Sequence, residues 1–299
     1  MATRSESPDA SPSDEMREGK REAGRRRNRR VLAKVGVYTP LIIGAVLAVF
    51  PLLWMVSASF MATGEASTYP PHIIPRQFTL EHYRSLFTRL ALGRSLANSA
   101  LIASVVTLLS VIINSMAGYA LAKLRFRSSA KVYKALSLGL ILPSQVAMLP
   151  LFLMMKELHL VNTYWGVIIP GLASIFGILL THQYALAIPD DLLDAARVDG
   201  ASELQLYRLV VLPVIAPILA TLAIWTFLGT WNDFMWPLIV LSDDRKYTLP
   251  VAIANLVGEH VQDAELMMAG SVVTVLPVML VFLFLQRYYI RGITAGSVK

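Results

Sequence analysis

The sequence predicts an all-α, polytopic membrane protein: a bundle of six transmembrane helices with a helical element in one cytoplasmic loop. Three observations lead there. The 299-residue chain is 55% hydrophobic and 16% charged, where soluble domains carry about 25% charged residues. Its mean hydropathy is +0.56. Its apolar residues are segregated into six uncharged stretches, 35–64, 95–122, 135–155, 160–181, 209–232 and 266–286, each of at least 21 residues. About 20 helical residues cross a hydrocarbon core. Lipid cannot satisfy irregular backbone, so the spans are helices. Barrel strands would need alternating segments of about ten residues, and none occur.

Residues 1–34 form a Ser-, Asp-, Glu- and Arg-rich tail with no apolar face, expected to be disordered and cytoplasmic. It is no cleaved signal peptide, because the first apolar stretch starts too late and runs too long. Its Arg25–Arg30 run, RRRNRR, reads as an anchor near anionic lipid. The transmembrane domain then extends over 35–288, leaving 289–299 as a second cytoplasmic tail. Pro40 and Pro51 kink the first span. Residues 65–94 make an outer loop in which 78–87 (FTLEHYRSLF) reads as a short interfacial helix. Pro143, Ser144 and Gln145 interrupt the third span, and Pro170 and Gly171 break the fourth. Pro213 and Pro217 sit near the inner end of the fifth. Broken helices suit a chain whose backbone lines a cavity.

Charge sets the orientation. With both termini inside, Lys and Arg number 20 on the inner side and 7 on the outer. The loop 122–134 (AKLRFRSSAKVYK) has five basic residues and no acidic one. The net charge of +7 therefore reports membrane topology rather than nucleic-acid binding. No cysteine is present, which excludes disulfides and thiolate metal sites. There is no H-x-x-x-H pair, no G-x-x-x-x-G-K-[ST] and no G-x-G-x-x-G. The chain is not an enzyme by any motif, and any ATP chemistry must belong to a partner.

The polar loop 190–213 is the most informative segment. Asp190 and Asp191 are candidate caps after Pro189, with Asp194 in a capping-box-like position. Leu192, Leu193, Ala195, Ala196 and Val198 supply a helical run, which Asp199-Gly200 ends. Ser202 and Gln205 form an S-x-x-Q capping box that opens the next helix. Such an element between two spans reads as a coupling element for a soluble motor. Caps alone would also explain an ordinary re-entry turn. A DNA-binding helix–turn–helix is the wrong sign, since the loop carries five acidic and two basic residues.

The pattern Asp194-Ala195-Ala196, Asp199-Gly200-Ala201 and Leu212-Pro213, with Pro217 beyond, resembles the EAA loop of ABC importer permeases. The spacing is kept, and Asp194 stands where Glu is usual. Trp231–Leu238 (WNDFMWPL), the C-terminal segment from Arg287, 78–87 and Asn98-Ser99 resemble the carbohydrate-importer branch. The resemblance covers 35–299. It implies a type I importer permease in a bacterial plasma membrane, paired with a second, related permease and two ATPase subunits. An extracytoplasmic binding protein would deliver a sugar or oligosaccharide. This chain binds no cofactor; ATP is used by the ATPase subunits. The coupling helix around 194–200 would sit in a cleft on one ATPase.

Polar groups inside the spans are Asn114, Ser144, Gln145, Asn232 and Asp233. They are candidates for lining the solute path, with Trp231, Phe234 and Trp236 as aromatic faces. The alternatives are interhelical glue for the polar groups and, for the tryptophans beside Asp233, aromatic-belt anchors. A glycerol phosphate or polyol importer is the other reading within the family, although no span contains Lys or Arg. An ATP-independent secondary transporter would have only Asp233 and His182 as relay groups.

Overall fold

Helix α1 (Pro12–Ala58) carries the first apolar stretch and keeps Pro40 and Pro51 inside it. It begins earlier than the sequence suggests. Residues 12–34, expected to lack structure, are helical in the computed structural model. Glu, Arg, Lys, Ala and Met there are good helix formers, and an apolar helix already nucleated gives them a template to extend. The structure describes residues 12–88, 91–124, 126–259 and 263–295, with side chains within 34–255 and 263–284 apart from the two small gaps. The outer parts of both tails, 1–11 and 296–299, lie outside the described residues. The chain divides into two units, Met1–Val56 and Ser57–Lys299.

The second unit is a helical bundle. Helix α2 (Glu81–Thr88) is the expected interfacial helix, starting where the Thr79 hydroxyl accepts from Glu81 N at 3.1 Å. Helix α3 (Leu92–Lys123) is the second span. Its 32 residues reach about 48 Å, more than the roughly 30 Å of hydrocarbon. The third span is two pieces, not a rod: α4 (Ser129–Gly139) and, after a 3-10 turn at Ser144–Ala147, α5 (Met148–Glu157). They meet at a bend of 101°. Pro143 is held extended and is the N-cap of that 3-10 turn.

The fourth span breaks as its sequence predicts, into α6 (Tyr164–Gly171) and α7 (Ile175–Leu186). Both pieces are capped by a hydroxyl: Thr163 accepts from Gly166 N at 3.1 Å and Ser174 from Gly177 N at 3.2 Å. Helices α8 (Asp190–Val198) and α9 (Glu203–Leu206) form the polar loop. A π-helical turn at Tyr207–Val211 then leads into α10 (Leu212–Trp231). Pro213 explains that winding: it has no N–H for the carbonyl of Leu209, and its ring crowds that carbonyl. Short α11 (Met235–Val240), α12 (Leu249–Glu259) and the last span α13 (Ala264–Ala295) complete the described chain. Among the described residues, five helices are long and apolar enough to span a membrane, and the bent α4–α5 pair makes six.

Helix α3 is the axis of this unit and packs against α7, α10, α6 and α12. Gly118 allows the close approach to α7. A Cβ there would stand 2.6 Å from Thr181 Cβ and 2.8 Å from the Ile178 carbonyl oxygen. Three buried apolar clusters lie along α3. One joins Leu92 and Ala103 to Trp231, Leu249 and Leu266. The second joins Ile102 and Val106 to Val167, Trp236 and Val240. The third joins Tyr119 to Leu193, Leu206, Val211 and Ile215, and so roots the polar loop in the bundle.

Candidate functional site

The loop begins where Pro189 fixes an extended backbone and serves as N-cap of α8 without a side-chain bond. The expected caps are therefore displaced. Asp190 and Asp191 fall inside the first helical turn, where negative charge suits the helix dipole. Asp190 Oδ1 accepts from Lys123 Nζ at 2.7 Å. Asp194 accepts from Arg197 Nη1 at 2.7 Å instead of closing a capping box.

The helix ends as its sequence predicts. Gly200 is left-handed, with φ of 86°. Gly200 N donates to Arg197 O and Ala201 N to Ala196 O, both at 3.0 Å. These are the two bonds of a Schellman stop. Ser202 and Gln205 form the complete capping box of α9: Ser202 N donates to Gln205 Oε1 at 2.8 Å and Gln205 N to Ser202 Oγ at 3.4 Å.

The eight residues expected to couple to a motor split between two faces. Asp194, Ala195, Asp199, Gly200 and Pro213 are exposed. Ala196, Ala201 and Leu212 pack against the buried cluster of Leu193, Leu206 and Tyr207. Helix α8 thus buries Leu193 and Ala196 yet leaves a second apolar strip outside, Leu192, Ala195 and Val198. Val198, at the tip, is 88% exposed.

Behind the loop lie contacts that the sequence did not single out. Lys123 Nζ donates to Ile188 O at 2.6 Å and to Leu186 O at 3.4 Å, as well as to Asp190. Tyr119 OH donates to Glu203 Oε2 at 2.8 Å. Ser115 Oγ shares a hydrogen with Tyr207 OH at 2.6 Å. Arg197 Nε donates to Glu203 Oε1 at 3.0 Å, so the guanidinium bridges α8 and α9. The carboxylates of Glu203 and Asp194 raise its pKa further above an already high value. The weak signal for these partners was the polar spacing of Ser115, Tyr119 and Lys123 at i, i+4, i+8 in an apolar helix.

The five polar candidates for the solute path occupy three separate places. Asn114 is fully buried. Its Nδ2 donates to Ser110 Oγ at 2.6 Å, and its Oδ1 accepts from Ser174 N at 3.0 Å. It thereby satisfies backbone freed at the α6–α7 break. Ser144 and Gln145 are exposed on the 3-10 turn of the third span. Asn232 donates to Leu228 O at 2.8 Å, and half-buried Asp233 accepts from Trp236 N at 3.4 Å at the start of α11.

The two tryptophans are not belt anchors, as the alternative reading had it. Trp231 and Trp236 are buried, and their indoles donate to Thr274 O at 3.2 Å and Gly166 O at 3.1 Å. Phe234 lines a pocket of about 380 Å³ with Ile253, Ser271 and Thr274. Asn98 and Ser99 work as staples: Asn98 Nδ2 donates to Arg245 O and Tyr247 O, both at 3.0 Å, and Ser99 Oγ accepts from Leu249 N at 2.7 Å.

The described chain is thus a multi-span membrane bundle with broken helices and a rooted, partly apolar knob in one loop. Comparison with known proteins fixes the family. Residues 114–295 match the binding-protein-dependent transport system inner membrane component family, and the chain belongs to it. The arabinooligosaccharides transport system permease protein AraQ of Halalkalibacterium halodurans is 39% identical over 85% of this chain and 92% of its own. The lactose transport system permease protein LacG of Rhizobium radiobacter is 32% identical, covering 91% and 98%. The trehalose/maltose transport system permease protein MalG of Thermococcus litoralis is also 32% identical, covering 90% and 98%. A crystal structure of a bacterial ABC transporter involved in alginate import shares the fold. Its TM-score is 0.77 at 24% identity, covering 95% of this chain and all of that one.

Proposed function

We propose that this chain forms half of the membrane pathway of an ATP-driven importer for an oligosaccharide. A second, related permease supplies the other half. The knob at 194–200 faces the cytoplasm and is gripped by one of two ATPase subunits, which carry the nucleotide chemistry. A solute-binding protein delivers the sugar from outside. Both termini are cytoplasmic. The carrying observation is the outward apolar strip of α8, Leu192, Ala195 and Val198, on a helix whose other face is already buried. A solvated loop has no use for such a strip, whereas a protein cleft does. The sugar assignment rests on the named transport of arabinooligosaccharides, lactose and trehalose or maltose by the relatives. The bias of basic residues supports a cytoplasmic side for the knob.

The chain lacks cysteine, so single cysteines report cleanly. Val198→Cys in inside-out vesicles is expected to crosslink to an ATPase subunit and to be labelled by impermeant maleimide. Labelling of Val198→Cys only from the periplasmic side of intact cells would overturn the orientation. ATPase stimulation of the reconstituted complex by an oligosaccharide-loaded binding protein tests the cargo; no response to any oligosaccharide would refute it.

A further inference from the structure

Helix α3 presents three polar side chains at successive turns of one face, and each is tied to the connection between α8 and α10. Ser115 meets Tyr207 in the π-helical turn, Tyr119 meets Glu203 in α9, and Lys123 meets Asp190 in α8. The partners lie 92, 84 and 67 residues further along the chain. Ser115 is fully buried, Tyr119 is 4% exposed, and the Lys123 side chain is 7% exposed. Arg197 extends the middle rung outward, from Glu203 to Asp194 beside the tip of the knob.

We infer that Ser115, Tyr119 and Lys123 are positioning residues that carry the displacement of the coupling knob into α3, alongside the backbone route from α9 into α10. The inference rests on the reading of α8 as the docking knob and names how its motion enters the bundle. The backbone route alone passes through the π-helical turn, which interrupts the α-helical winding between α9 and α10. The ties of Tyr119 to Glu203 and of Lys123 to Asp190 bypass that turn, and Ser115 holds its first residue, Tyr207. Helix α3 is the right recipient, because it packs on both α7 and α10. A push delivered to α3 therefore reaches two further spans at once. The ladder is graded in exposure. Its inner rung at Ser115–Tyr207 is dry, while Asp190, Asp194 and Glu203 are exposed at 66%, 66% and 49%. Exposed ion pairs add little stability by themselves. What the exposed rungs supply is direction, holding the knob at one angle to α3.

The test uses the complete importer, with both permeases, the ATPase subunits and the binding protein, in proteoliposomes. Tyr119→Phe removes one oxygen from the middle rung and keeps the ring in its cluster. Solute transported per ATP hydrolysed is the readout, with assembly and Val198→Cys crosslinking measured in parallel. Tyr119→Phe and Glu203→Met are each expected to lower that ratio about fivefold or more, the low end of typical coupling between sites. Crosslinking stays normal, because both residues lie outside the knob at 194–200 and its exposed strip. The double variant should be no worse than the poorer single one, since both cut one strut. An unchanged ratio in Tyr119→Phe, or losses that simply multiply, would overturn the ladder as a force path. Loss of crosslinking in the otherwise unaltered protein would instead overturn the docking reading.

Discussion

Replacing Asn114 by Leu separates a structural role from a solute-lining one. In the structure the side chain is enclosed, donates to Ser110 and accepts from Ser174 N. Leu removes both bonds. The orphaned Ser174 N–H would sit at the break of a spanning helix, where an unsatisfied buried donor costs about 1–3 kcal/mol. The lost Asn–Ser bond adds roughly 0.6–1.7 kcal/mol, the range seen inside membrane bundles. The sum, roughly 1.6–4.7 kcal/mol, corresponds to a drop of about 3–19 °C in Tm at 2–4 °C per kcal/mol. The assay is thermal unfolding in detergent, followed by loss of the monodisperse peak of a fluorescent fusion. Ser110→Ala calibrates it, since that variant removes only the smaller contribution. Solute preference of Asn114→Leu should be unchanged below its own Tm. A variant that melts with the wild type, or one that stays stable and changes preference, would refute the reasoning.

Three further outcomes follow from the geometry, besides the strut variants already described. Gly118→Ala forces a methyl against Thr181 and the Ile178 carbonyl, so α3 and α7 must separate; the cost is about 1–3 kcal/mol, read by the same thermal assay. Gly200→Asp is different: its Cβ would meet nothing within 4 Å, but φ is 86°. The fold should lose only about 1 kcal/mol, with the protein still in the membrane and ATP hydrolysis no longer driving uptake; normal uptake would count against the coupling role. Glu65 accepts from Arg76 N at 2.6 Å and Ala62 N at 3.2 Å, and those bonds, Arg76 first, hold its carboxyl below the ordinary 4.5. A depressed carboxyl stabilises above its ordinary value and loses that contribution as pH falls through the lowered one. Amide exchange at Ala62 and Arg76 should therefore accelerate only below about pH 4.5.

Local features were legible in the sequence because their causes are local. Gly200 needed a left-handed stop, Ser202 and Gln205 are three residues apart, and Pro170-Gly171 break a helix by their own stereochemistry. The apolar stretches located the spans for the same reason. Long-range pairings were not legible. Ser115, Tyr119 and Lys123 look like stray polar residues in an apolar helix until the chain returns beside them. Asn114 could be marked as buried and polar, but nothing in its neighbourhood names Ser174 as its partner. Asp190 looked like a cap because capping rules read only the next few residues; Pro189 takes that position and frees the aspartate for Lys123. Pro143, Ser144 and Gln145 mark an interruption of the third span, but no rule that reads neighbouring residues gives its 101° angle.

The wide turn at Tyr207–Val211 holds one residue more than an α-helical turn would use. Taking that residue back into ordinary winding would swivel whatever lies before it by about 100° and shift it about 1.5 Å along the axis. Pro213 bars that reversion, so the junction below it keeps the knob turned against the spanning rod by a step that the pitch of the peptide backbone sets.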